Sequence, residues 1–242
     1  MGKKGGRNKL KRLAAPRSWD IARKSNRFVF KPLPGPHPIS AAYPLGVVIR
    51  DLASMANLSK ELKFMMKAGK VRVDGTERHT PRFPVGLFNI VSVPEEGVDY
   101  RLVPSPKGLA LAKVSTDEAK TKLCSVNTKT KVKGGHIQYG LHDGRSMVDD
   151  ALKLSPGDAV LIEVPSQKVL GQAKLAKGSL GLILTGDRAG QLGKIADVKK
   201  GTISRERMVR LALPGGEAEI PSRLVFPVGT DSPMITVGAG TA

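Results

Sequence analysis

The side chains able to do acid–base or metal chemistry are few, and their spacing argues against it. His136, His142 and Asp143 fall within "GGHIQYGLHDGR", where a metal site or an acid–base pair would be conceivable. The spacing matches no metal-ligand pattern, and Asp143-Gly144 is an ordinary turn signal, so structural or nucleic-acid-contacting roles are the better reading. Asp149-Asp150 is better read as a turn or helix-start feature than as a catalytic carboxylate pair. His37 and His79 stand in Pro-rich or charged loops. "GDRAGQLGKI" (186–195) resembles a phosphate loop only at first sight. That loop needs Gly, four residues, then Gly-Lys-Ser/Thr. Here Arg188 stands where the first Gly belongs, and Ile195 replaces the hydroxyl that would hold magnesium. The better reading is a tight turn between two strands, with Gly190 and Gly193 taking up unusual backbone angles. The single cysteine, Cys124, excludes an internal disulfide and a multi-Cys zinc site. No catalytic residue, metal site or cofactor is expected.

The remaining chemistry is cationic. The 242 residues carry 40 Lys/Arg against 21 Asp/Glu, a formal charge of +19. A field of this sign favours polyanions. The apolar runs "LGVVI" and "LGLIL" are too short to span a bilayer, which takes about 20 residues, and the start of the chain has no secretory apolar region. It does share the Arg-rich, acid-poor look of an organelle transit peptide, but Trp19 and the prolines at 32, 34, 36 and 38 suggest ordered contacts instead. A nucleic acid in a reducing, cytoplasmic setting is the implied partner.

The charge is uneven. Residues 1–40 hold 11 cations and one acid, whereas 41–104, 105–177 and 178–242 are nearly balanced. The first segment therefore reads as a basic arm, with Lys3, Lys4, Arg7, Lys9, Lys11, Arg12, Arg17, Arg23, Lys24 and Arg27 as phosphate contacts. Its glycines and weak periodicity predict disorder until it lies on a polyanion, where counterion release drives binding. Trp19, and Phe28 or Phe30, can stack on bases. Alternatively, Trp19 plugs a groove on the body.

The elements that would position a second cationic set follow from Pro44. "LGVVIRDLASMANLSKELKFMMKAG" reads as two short helices, with Leu45, Val48, Leu52 and Met55 at helical spacing in the first. Ser59 is the expected N-cap of the second, Leu62, Met65 and Met66 its apolar face, and Gly69 its stop. Lys60, Lys63 and Lys67 share another face. "KVRVDG" then alternates, with Val71 and Val73 inward and Lys70 and Arg72 outward. With Arg50 from the first helix, these cations form one basic surface on a rigid scaffold, as tracking phosphates requires. Beyond this point, short apolar alternations separated by Gly, Pro and Asp suggest small barrels. "PSPKG" (104–108) and "AKGS" (176–179) are candidate boundaries.

The ordered series "LKRLAAPRSW", "GPHP", "PLGVVIRD", "GKVRVDG", "HDGR" and "GLILTGDRAGQLGKI" resembles the S-four-e family of archaeal and eukaryotic small-subunit ribosomal proteins. The resemblance covers nearly the whole chain. It implies an α+β, mostly β architecture in four parts. These are a basic extension (1–41), a helix–helix–strand S-four-type RNA-binding module (42–104), a central β domain (105–177) and a small SH3-like KOW barrel with a C-terminal tail (178–242). It implies no enzymatic activity, binding to small-subunit ribosomal RNA beside neighbouring ribosomal proteins, no membrane, and no homo-oligomer. The family's RNA-binding cations carry over to Arg50, Lys60, Lys63, Lys67, Lys70 and Arg72, and its tail contacts to Lys9, Lys11, Arg12, Arg17 and Trp19. Two other classes compete: an RNA-modifying enzyme with an accessory RNA-binding module, which would need a large catalytic domain, and a KOW-type transcription factor, which would lack the helical module and long basic arm.

Overall fold

The computed structural model describes residues 9–203 and 205–238. It is mostly β, with few helices and three open five-stranded antiparallel sheets. In the first sheet the order is Thr76–Glu77, Arg72–Val73, Ile90–Val93, Val98–Ser105, Gly108–Val114. The second runs Ser146–Val148, Ile137–Leu141, Thr121–Lys131, Ala159–Glu163, Val169–Ala173. The third runs Gly216–Pro221, Met208–Leu213, Leu192–Lys199, Leu180–Ile183, Val225–Gly229. The "PSPKG" stretch is the turn of a hairpin, with Ser105 opposite Gly108 and pairing continuing to Asp99 opposite Val114. A boundary at 104/105 would cut that ladder, so the first sheet ends at Val114 and not where the prolines suggested.

The helical region departs from its sequence pattern. Leu45–Val47 is a single α turn that widens into a π-helix over Val48–Leu52. Across the two, Leu45 through Ile49 are buried without a break. The second helix is Ser59–Lys67. Ser59 is its first residue and not its cap. The Glu61 carboxylate reaches back instead and accepts from the Asn57 and Leu58 amides, both at 3.0 Å, satisfying donors that a helix start leaves free. Leu62 and Met66 are buried and Met65 half-buried, as the helical period required. Val71 and Val73 are buried with Arg72 exposed between them.

From Lys9 onward the basic segment is folded onto the body. Leu10–Lys11 pairs with Phe28–Val29, and Ala15, Trp19 and Val29 join the core formed by the helices and first sheet. A second core is shared across all three sheets. It contains Phe88, Val103, Leu123, Ala159, Leu182 and Phe226, with Phe88 and Phe226 in edge contact at 5.0 Å. The "GDRAGQLGKI" loop joins two antiparallel strands, Leu180 opposite Lys194. Gly190 has φ +86° and a Cβ there would lie 2.7 Å from the Pro104 carbonyl, so the loop packs on the first sheet's hairpin. Gly193 has no positive φ. It is needed for close approach, because a Cβ would meet the Ala212 carbonyl at 2.7 Å.

Candidate nucleic-acid interface

The Ser59–Lys67 helix presents Lys60, Lys63 and Lys67 to solvent. Among the described residues, none of the three belongs to an ion pair. Glu61, the acid nearest in sequence, is occupied by the helix start. Arg72 is exposed but bonds Glu77 at 3.2 Å, and Lys70 is half-buried with Glu95 at 2.7 Å. The three helical lysines are thus the readiest cations of the module, with Lys70 and Arg72 held by acids beside them.

Arg50 has a different role. Its guanidinium donates to both Asp51 oxygens at 3.0 and 2.9 Å and to Ser59 Oγ at 3.0 Å, and lies 5.4 Å above the Phe30 ring. This ties the π-helix to the second helix and the basic segment. Arg50, expected on the RNA-binding surface, thus has its donors engaged within the fold, unlike the three helical lysines.

The same sorting applies to the N-terminal cations. Lys9, Lys11, Arg17, Lys24 and Arg27 are exposed. Arg12 is buried, with Nε donating to the Ala22 carbonyl and Nη1 3.7 Å from Asp51. Arg23 donates to the Ala15 and Pro16 carbonyls at 2.9 and 2.8 Å. Both arginines staple the segment through these bonds. Trp19 is 3% exposed, stacks on Tyr43 at 5.7 Å between centroids, and donates from Nε1 to the Ala42 carbonyl at 2.8 Å. It fills a groove on the body and has no face left for a base. Phe28 remains exposed, beneath Lys9 and Arg27. Beside it, a polar groove of about 720 Å³ runs between the segment and the two helices, lined by Arg27, Phe28, Arg50 and Ser59 among others. Lys3, Lys4 and Arg7 lie outside the described residues.

Sequence reasoning missed a buried ion cluster that joins the first two sheets. Lys122 is 0% exposed, with Nζ 2.9 Å from Asp74 and 2.8 Å from Asp143. Arg145 reaches the same two carboxylates at 3.0 and 3.5 Å. Asn89 donates to Asp74 at 2.7 Å, and its carbonyl oxygen accepts from His37 Nε2, also at 2.7 Å. Burial alone would push the Lys122 amine down and the Asp143 carboxyl up. For the amine, Asp74 first and then Asp143 outweigh burial, and for the carboxyl Lys122 does, so Lys122 is raised and Asp143 lowered to about 2. His142 is held neutral, at about 4, first by burial and then by Lys122. Its Nδ1 accepts from the Ser125 amide, leaving the proton on Nε2 for the Leu87 carbonyl. Thus the "HDGR" residues serve the fold. Arg101, also buried, donates to Glu118, whose carboxylate also accepts from Thr236, tying the first sheet to the C-terminal segment. Among the described residues no cluster could hold a metal ion, and no helix is long and apolar enough to cross a membrane.

Comparison with known proteins agrees with this architecture. Residues 96–169 match the ribosomal family S4e, and residues 4–40 match the RS4NT (NUC023) domain. The chain is 35% identical to the small ribosomal subunit protein eS4 of Staphylothermus marinus, over 99% of each chain. It is 37% identical to that of Methanocaldococcus jannaschii, over 97% of this chain and 99% of the relative. For Korarchaeum cryptofilum the identity is 40%, covering 86% and 88%. The crystal structure of the 30S ribosomal protein S4e from Thermoplasma acidophilum superposes with a TM-score of 0.67 at 26% identity, covering 79% of this chain and 95% of that one.

Proposed function

The chain belongs to the S4e (eS4) family of small-subunit ribosomal proteins, and on that basis we propose that it is a structural, non-enzymatic constituent of the small ribosomal subunit that binds ribosomal RNA. The observation that carries the RNA-binding reading is the row of Lys60, Lys63 and Lys67, exposed on a helix whose other side is fixed in the core. Cations so held neutralise phosphates without the entropy cost of ordering a loose segment. The exposed Lys9, Lys11, Arg17, Lys24 and Arg27 extend that field along the folded N-terminal segment, and Lys70 and Arg72 lie at its margin. In this reading residues 178–198 carry the KOW loop and 178–242 form the KOW unit; its support is the sequence resemblance and the packing of Gly190 on the first sheet's hairpin. The protein resides in the cytoplasm on the ribosome, beside rRNA and other ribosomal proteins. Against the enzyme alternative stands the family, whose members are named as ribosomal proteins.

The test is sedimentation of cell lysate. The protein should track the small subunit stoichiometrically and remain there through a modest salt wash. Free protein at the top of the gradient, or protein distributed with unrelated complexes, would refute the assignment.

A further inference from the structure

Phe64 is 70% exposed in the middle of the lysine-bearing helix. At 3.6 residues per turn, Lys60, Lys63, Phe64 and Lys67 fall within an arc of about 100°. Leu62 and Met66 occupy the opposite side and are fully buried, so Phe64 contributes nothing to that core. Phenylalanine is also only a moderate helix former. A large apolar ring is therefore held in water, on a rigid backbone, among three cations that form no ion pair within the described residues.

Resting on the RNA-binding reading above, we propose that Phe64 is a stacking platform for an unpaired base, with Lys60, Lys63 and Lys67 gripping the phosphates on either side. Charge complementarity selects the occupant. A purely apolar partner would have to desolvate three ammonium groups without pairing them, whereas a nucleotide supplies a π face for the ring and anionic oxygens for the lysines. Duplex RNA offers only the phosphates, since its bases are stacked on one another. The helix should thus prefer loops or bulges over continuous helices.

The experiment uses the full chain with two RNA probes of equal length, a stem-loop with an unpaired adenosine loop and a fully paired duplex. Affinity is measured across salt, with thermal unfolding alongside. Wild type should favour the stem-loop. Phe64→Ala should lower stem-loop affinity about five- to a hundred-fold, leave duplex affinity, salt slope and Tm essentially unchanged, and so erase the preference. Phe64→Trp should restore it and Phe64→Leu should not, because a stacking platform needs a ring. Unchanged stem-loop binding by Phe64→Ala, full activity of Phe64→Leu, or equal losses on both probes would each overturn the proposal. So would unchanged RNA binding with weaker retention in the small subunit, which would mark a protein contact. If replacing the three lysines by alanine also leaves binding intact, the RNA reading of this face fails too. If only the lysine variants lose affinity, that reading stands and the stacking role alone is refuted.

Discussion

Lys63 and Lys122 are chemically identical and sit in opposite surroundings. Lys63 extends into water from a helix and, among the described residues, belongs to no ion pair; Lys122 is enclosed between Asp74 and Asp143. The first contributes almost nothing to folding and is available to a partner. The second is unavailable to any partner and fixes how the first two sheets meet. The same division separates Lys24 and Arg27, which are exposed, from Arg12, which is buried, and Arg23, which is half-buried; both donate to backbone carbonyls of their own segment. Net charge of +19 therefore overstates the binding surface, because part of it is structural.

The contrast should be widest at Lys122. Lys122→Met should destabilise the protein by about 3–5 kcal/mol, since two carboxylates would remain buried with Arg145 as the one cation paired to them among the described residues. Chemical unfolding measures this, and Lys63→Met is the control, expected within about 0–1 kcal/mol. A small effect at Lys122 would mean that water reaches the cluster. Trp19→Ala should come next, at roughly 3–5 kcal/mol or somewhat less if the groove collapses. A basic arm that folded only on RNA would show no such effect. Removing residues 1–40 should likewise lower Tm, because Ala15, Trp19 and Val29 leave the core with it.

Acid acts more gently. His142 is depressed to about 4 in the fold from an ordinary 6.5, so the unfolded chain binds the extra proton first. Its contribution is complete above about pH 6.5 and is lost as pH falls toward 4. Asp143, lowered to about 2 from 3.8, adds a second loss below about pH 4. His142→Asn should flatten the upper part of the stability–pH curve and leave the lower part in place. A curve unchanged by that substitution would show that His142 does not titrate with unfolding.

Much of the lysine face was legible because a helix has one period, and that period alone separates Lys60, Lys63 and Lys67 from Leu62 and Met66. Residues 71–73 were legible because a strand alternates every two residues, with Arg72 exposed between buried valines. Lys122 was not. Lys122, Leu123 and Cys124 are consecutive and all buried, so this half of their strand has no solvent face and the two-residue rule gives no outward side there. Its partners are 48 and 21 residues away, beyond any local pattern. Trp19 was ambiguous for a related reason: its groove is built by Ala42 and Tyr43, from a different stretch of chain. The π-helix after Pro44 keeps an apolar run that α spacing could also explain, and only the backbone distinguishes them. Phe64 was readable as an aromatic among lysines, but its exposure had to be seen.

Whether the lysine face holds phosphates is decided by the salt dependence of rRNA binding, measured for the wild type and for a variant carrying Lys60→Ala, Lys63→Ala and Lys67→Ala. If these lysines grip the backbone, the slope of log affinity against log salt should become shallower by about two to three, at roughly 0.7–0.9 for each phosphate no longer neutralised, while Tm stays within the range expected for exposed charges. A slope equal to that of the wild type, with affinity unchanged, would mean that the face is merely solvated and that RNA is held elsewhere.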